Sequence, residues 1–156
     1  MHDWIRRLFE NRDLAKMGHG RRIDALNLGL GWVYYGLVRA MRPKRSVVIG
    51  SYRGFVPLVI AKGMADNAEG GELVFIDPSF VDDFWKDAAA VKAHFAHHGL
   101  DNVRHFLMTT QDFVRSDAYR HLGEGGVVFI DGHHSVEQAR FDFEAWSRSS
   151  APALAA

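Results

Sequence analysis

A chain of 156 residues, 47% hydrophobic and 24% charged, is long enough for one hydrophobic core and short for two, which excludes disorder as its dominant state. Lys+Arg and Asp+Glu balance at 19 each, so no long-range positive field draws in polyanions and nucleic acid is not an expected partner. The absence of cysteine excludes a disulfide framework and a thiolate zinc site and fits a cytoplasmic location.

In chain order, Met1 to Arg7 lacks the apolar core of a secretory signal. The most apolar run, Leu28 to Val38, is interrupted by Gly29, Gly31 and Gly36 and falls far short of the roughly 20 residues of a membrane span, so no transmembrane segment is expected. Helices are predicted around Trp4 to Phe9 and around Ile23 to Met41. The apolar face of the first, Trp4, Ile5, Leu8 and Phe9, is expected to pack on its own domain rather than lie on a membrane. Trp32, Tyr34 and Tyr35 are expected to pack as well.

At Pro43 the period changes. Near-continuous apolar runs at Ser46 to Ile49, Glu72 to Ile76, Val103 to Met108 and Val127 to Ile130 read as strands buried on both faces, Arg104 and His105 apart. Between them, Val56 to Ala65, Trp85 to His98 and Phe113 to Leu122 are long enough for crossover helices, and Val136 to Trp146 follows the last strand with Val136, Ala139, Phe143 and Trp146 on its inner face. Such a β-α series with right-handed crossovers builds an α/β fold, a Rossmann-like open parallel sheet. Residues 1–42 are then N-terminal helices capping the core, 43–146 the core itself, and 147–156, rich in Ser, Ala and Pro, a frayed tail.

Ligands of open parallel sheets bind beyond the carboxyl ends of the strands. The first strand leaves through Gly50-Ser51-Tyr52-Arg53-Gly54, either a ligand-approaching turn or a plain strand-to-helix turn. Tyr52 and Phe55 break the dinucleotide fingerprint G-x-G-x-x-G, and no Lys follows Gly54 as a phosphate loop requires. Asp77 ends the second strand, where nucleotide-binding α/β folds place an acceptor for ribose hydroxyls; before Pro78 it is equally a turn former. After the third strand, Thr110 or Asp112 caps the next helix, or Gln111 and Asp112 bond an adenine edge. The fourth strand exits through Asp131-Gly132-His133-His134-Ser135, the densest titratable cluster in the chain. Asp131 with one His suits a divalent metal or a proton transfer; a Ser135 cap and a structural His134 are the alternative use. His94 and His98, one helical turn apart, read as a solvated face rather than a metal site.

Val47 to Gly54, Phe75 to Pro78 and Phe129 to Ser135, followed by Asp142 and Trp146, resemble the class I S-adenosylmethionine-dependent methyltransferases, most closely small-molecule O-methyltransferases whose fourth strand ends in an Asp-Gly-x-His-Ser motif. The resemblance covers roughly Pro43 to Trp146. It implies a sheet order of three, two, one, four and a cofactor, S-adenosyl-L-methionine, whose methionine part lies along Gly50, Ser51, Tyr52 and Gly54, its ribose on Asp77 and its adenine near Gln111 and Asp112. Asp131 would stand beside the sulfonium, with His134 (or His133) taking the acceptor's proton; metal-dependent members would add Mg²⁺ or another divalent ion, here on Asp131 and His133. The implied activity is methyl transfer to a small hydroxylated acceptor; the alternative is a non-catalytic cofactor-binding module without its substrate half. Two departures stand out: Val48 replaces an acidic residue common two positions before Gly50, and the family's further strands do not follow, as in a C-terminally truncated member. On that order the apolar fourth strand is an uncharged edge, expected to drive homo-oligomerisation or aggregation, with Phe141 a candidate contact.

Overall fold

The computed structural model describes residues 1–123 and 126–147. They run α1 (His2–Glu10), α2 (Arg12–Met17), α3 (Gly31–Met41), β1 (Arg45–Ile49), α4 (Phe55–Ala65), β2 (Glu72–Ile76), α5 (Ala88–His97), β3 (Val103–Phe106), α6 (Thr110–Arg115), α7 (Asp117–Arg120), β4 (Val127–Ile130) and α8 (Val136–Ser147). The strands form one parallel sheet in the order β3-β2-β1-β4. Val48 faces Phe75 on one side and Phe129 on the other, so β2, β1 and β4 are in step and their exits fall level.

Alternation along the strands explains the unbroken apolar runs. Val48, Leu73 and Phe75 face a core built with α1 to α5, whereas Val47, Ile49, Val74 and Ile76 face a second core with Phe113, Leu122 and Trp146. Both faces are covered, as a parallel sheet requires. At the β3 edge Arg104 pairs with Glu72 at 3.3 Å, which blunts that edge with charge; β4 carries none.

Several expected elements shift. The helix expected from Ile23 starts at Gly31, because Arg22 and Asn27 pair across a turn. Asn27 Oδ1 accepts the Gly29 N–H, and Gly29 takes a φ of +61° that ends any helix there. A helix not foreseen, α2, starts on an Asn11 cap whose Oδ1 accepts the N–H groups of Asp13 and Leu14. Trp85 precedes α5, which begins on an Asp87 cap. The Phe113 to Leu122 helix is two short ones split at Ser116, and its cap is Thr109 rather than Thr110 or Asp112. Residues 124–125 and the tail from 148 onward lie outside the described residues.

The last helix is rolled relative to expectation. Asp142 and Trp146 are buried, while Val136 and Phe143 are 80% and 65% exposed. Trp146 stacks on Phe113 and meets Tyr119 edge-on at 5.4 Å, and this bulky anchor brings the residues four and eight earlier, Asp142 and Gln138, to the same face. Phe143, not Phe141, is therefore the outward aromatic.

Helix α1 buries Trp4, Ile5, Leu8 and Phe9 in the domain, with Trp4 Nε1 donating to the His98 carbonyl at 2.9 Å. Among the described residues no helix is long and apolar enough to cross a membrane. His94 and His98 are not a solvated face: His98 is 3% exposed, and His94 packs against Phe84, Trp85 and Phe95. Burial, then the neighbouring His94, His97 and Arg7, push the His98 imidazole down from 6.5 to about 4. The unfolded chain protonates this group near its ordinary value, so between about pH 6.5 and 4 the unfolded state binds the extra proton and stability falls as pH falls. Urea midpoints should show it: His98→Gln is expected to lie below the wild type at pH 7 by a gap that narrows toward pH 4, and a gap independent of pH would contradict the account.

Candidate active site at the strand exits

Strands β1 and β4 are neighbours, yet the chain leaves β1 for α4 on one face of the sheet and β4 for α8 on the other. A crevice opens where they part. It is a cavity of about 440 Å³, within the roughly 300–1,000 Å³ typical of small-molecule sites. All four strand exits line it.

Three exits are pinned by one further rung of the ladder. Gly50 donates to the Ile76 carbonyl (2.8 Å), Asp131 to that of Ile49 (2.8 Å) and Asp77 to that of Phe106 (3.2 Å). Gly50 has a φ of +71°, and a Cβ there would stand 2.4 Å from the Asp131 carbonyl oxygen. The two loops thus touch backbone to backbone, leaving the side chains of Asp131 and Ser51 to the cavity.

Asp77 ties the first exit to the second. Its Oδ2 accepts the Ser51 N–H at 3.1 Å and its Oδ1 the Ser79 N–H at 2.7 Å. Each carboxylate oxygen retains a lone pair for a ligand hydroxyl. Below it, His105 lies within 3.2 Å of the Asp77 carbonyl, and burial holds that imidazole below its ordinary range. Arg53 adds a second tie: Nη2 bonds Asp82 at 2.7 Å, while the guanidinium lies over the rings of Tyr52 (3.9 Å) and Phe84 (4.7 Å). The Arg53 bond holds the Asp82 carboxyl below the usual range.

At the fourth exit His134 Nε2 is 3.3 Å from Asp131 Oδ1, and both side chains are open to solvent. His133 Nδ1 instead accepts the Ser135 N–H, and Ser135 Oγ caps α8 by accepting the Gln138 N–H. Cap and carboxylate–imidazole contact are thus compatible. Burial and the nearby Asp131 raise the Tyr34 phenol. No group of three or more His, Asp or Glu side chains able to hold a metal ion occurs among the described residues. Asp131 and His133 alone fall short of the ligand set of a metal centre.

Of the residues singled out in the sequence, Gly50, Ser51, Tyr52, Asp77, Gln111, Asp131, His133 and His134 line the cavity. Gly54 and Asp112 do not. Gly54 starts α4 with a φ of +87° and faces the Trp85 ring, which a Cβ would meet at 2.9 Å; Asp112 is taken up by Thr109 Oγ1. Residues not anticipated are Met17, Phe80 and Val81 at the rim and Gln138 on α8; Asp142, noted in the sequence without a role, also lies on the wall. Phe80 and Val81 are 81% and 79% exposed, and no local pattern marks such residues as lining a cavity. Gln138 and Asp142 stand four apart on α8, a spacing visible in the sequence once the roll of the helix is known.

The family described as Methyltransferase domain matches residues 47–153. No curated protein sequence matches. Among solved structures, the O-methyltransferase from Bacillus cereus in complex with SAH superposes with a TM-score of 0.67 at 16% identity, over 96% of this chain and 62% of that one. An O-methyltransferase of Streptomyces achromogenes involved in tomaymycin synthesis, in complex with SAM, gives 0.61 at 18% identity, over 97% and 60%. The SAH-bound methyltransferase of Podospora anserina gives 0.60 at 22% identity, over 96% and 56%. At these identities the likeness is one of fold, and the chain spans about three fifths of the length of each of these structures.

The contact between the first and fourth exits has a measurable cost. Gly50→Ala combines a left-handed alanine with a clash against the Asp131 backbone and is expected to destabilise by about 2–4 kcal/mol. Gly99→Ala, at a φ of +70° with open space around it, pays only the backbone term, about 1–2 kcal/mol. Equal losses in urea titrations of the two variants would mean that the two loops do not touch as described.

Proposed function

Because the chain belongs to the methyltransferase-domain family, we propose that the strand-exit cavity binds S-adenosylmethionine and serves methyl transfer to a hydroxyl of a small acceptor. The observation that carries this reading is Asp77, a carboxylate fixed by two backbone N–H groups at the cavity wall, one strand away from the close Gly50 turn. An acceptor held so rigidly suits the paired hydroxyls of a ribose. Gly50 and Ser51 offer backbone approach for the methionine part, and Gln111 an amide for the adenine edge. The neighbours solved with SAM or SAH support the same choice of ligand.

S-adenosylmethionine supplies an electrophilic methyl group on a sulfonium. The protein's share is to align the acceptor oxygen with it and to remove a proton from the hydroxyl. Asp131 and His134 are assigned to that proton: the imidazole takes it and the adjacent carboxylate stabilises the resulting cation. Met17, Tyr52, Phe80 and Val81 around the mouth favour an acceptor that carries its hydroxyl on an apolar frame.

Calorimetric titration with S-adenosylmethionine and S-adenosylhomocysteine, with NAD as control, tests the binding. Asp77→Ala is expected to weaken binding of the first two by about 1–3 kcal/mol, five- to 150-fold. Unchanged affinity would remove Asp77 from the site. With simple hydroxylated acceptors, His134→Gln is expected to lower kcat on the order of 10²-fold while leaving cofactor affinity alone.

We also infer association through the uncharged β4 edge. Ile130 is 37% exposed there, and Phe143 and Val136 add apolar surface on the α8 packed beside it. Light scattering coupled to size exclusion should give a mass that rises with concentration, and less steeply in Phe143→Lys; a constant monomer mass would contradict this.

A further inference from the structure

Asp142 is 1% exposed, lies on the wall of the cavity, and has no part in the proton transfer assigned above. Its Oδ1 accepts from Gln138 Nε2 at 2.7 Å. Its Oδ2, also buried, meets no donor among the described residues. Burying a carboxylate is costly unless its bonds are made. The single bond it does make leads into the cavity: Gln138 Oε1 in turn accepts from Gln111 Nε2.

We propose that Asp142 is a positioning residue that sets the hydrogen-bonding polarity of the cavity wall at Gln111, so that the site selects a ligand with a donor, such as an aminopurine edge, over one with an acceptor at the same place. This deepens, and rests on, the nucleoside-cofactor reading above.

The argument is one of donors and acceptors. An ionised carboxylate accepts and has nothing to donate, so Gln138 must turn its NH₂ group toward Asp142. Its carbonyl oxygen then faces Gln111, and Gln111 must answer with its own NH₂ group. The Gln111 carbonyl oxygen is the acceptor left over, on a residue that lines the cavity. An amide alone could rotate by half a turn and present either end. Here the turn would set two carbonyls or two NH₂ groups face to face, so one buried charge fixes two amides in series. Adenine presents an exocyclic NH₂ group to such an acceptor; hypoxanthine presents a carbonyl, and the two oxygens repel. A site built on a fixed acceptor rejects the wrong partner more strongly than a site that can adapt.

Asn at position 142 keeps the shape and removes the constraint, because its amide can face Gln138 either way round. The whole series can then reverse. The experiment is a calorimetric comparison of S-adenosylhomocysteine with S-inosylhomocysteine on the full chain. The wild type is expected to prefer the adenine compound by about tenfold or more, the value of one hydrogen bond gained against one repulsion. In Asp142→Asn the ratio is expected to collapse to within about threefold, through tighter binding of the inosine compound as much as weaker binding of the other. A purely structural Asp142 would weaken both ligands together and leave the ratio intact, which would overturn the proposal. So would a wild type that binds both equally. Where Asp142→Asn fails to fold, Gln138→Met cuts the series at a half-buried position of α8, and an unchanged ratio there is equally fatal. A wild type that binds neither compound refutes the nucleoside-cofactor reading itself, a failure distinct from loss of selectivity.

Discussion

The backbone contact between Gly50 and Asp131 is the constraint on which the site depends. Two parallel neighbours, β1 and β4, end level, and their chains must part to opposite faces of the sheet. Divergence alone would leave a wide, wet notch. Because Gly50 has no Cβ and accepts a φ of +71°, the two turns instead close against each other, and each is held by a ladder bond to the neighbouring strand. The side chains that follow, Ser51 on one loop and His133 and His134 on the other, then begin from fixed points around one cavity.

The strands that lead to this contact are legible in the sequence for a separate reason, their burial. Ser46 to Ile49 and Glu72 to Ile76 are strands buried on both faces, which writes itself as an unbroken apolar run, and Val127 to Ile130 carries the same run although it is an edge strand on which only Val127 is fully buried. The order three, two, one, four is implied by the family resemblance and not by any pattern in the residues, and the sheet has it. Glycine and aspartate at strand ends were visible as punctuation, and most of those residues reach the cavity. Gly54 shows the limit: the same residue type, in the same loop, serves contact with Trp85 instead.

What escaped the sequence depends on rotation and on distant contacts. The apolar face drawn for the last helix places Val136, Phe143 and Trp146 together, since hydropathy assigns the inner side to carbon. In the structure the stacking of Trp146 on Phe113 outweighs that pattern and turns Gln138 and Asp142 inward, into a polar wall. The histidines of α5 err in the opposite direction. Charged-looking positions on a helix are expected to face water, yet His98 lies buried beneath Trp4 of α1, from the far end of the sequence. Residues 22–30 depart from the helix pattern because Asn27 offers the backbone a local turn that hydropathy does not register.

Rigidity is distributed unevenly around the cavity, and the division matches the chemistry assigned to it. On the β2 side Asp77 is held by Ser51 and Ser79, and Arg53 clamps the first loop onto Asp82, so the wall proposed for a nucleoside is tied in place by the protein's own bonds. Along α8 the buried Asp142 carboxylate orders the amides of Gln138 and Gln111 in the same sense. The Asp131–His134 pair stands apart at 81% and 48% side-chain exposure for the His and the Asp, joined by one bond of 3.3 Å. Recognition of a constant cofactor benefits from groups whose entropy is lost on folding rather than on binding. A proton acceptor for varied hydroxyls benefits from access to solvent, into which the proton must finally pass. One sheet end thus carries a stiff half and an open half, and the Gly50–Asp131 contact is the seam between them.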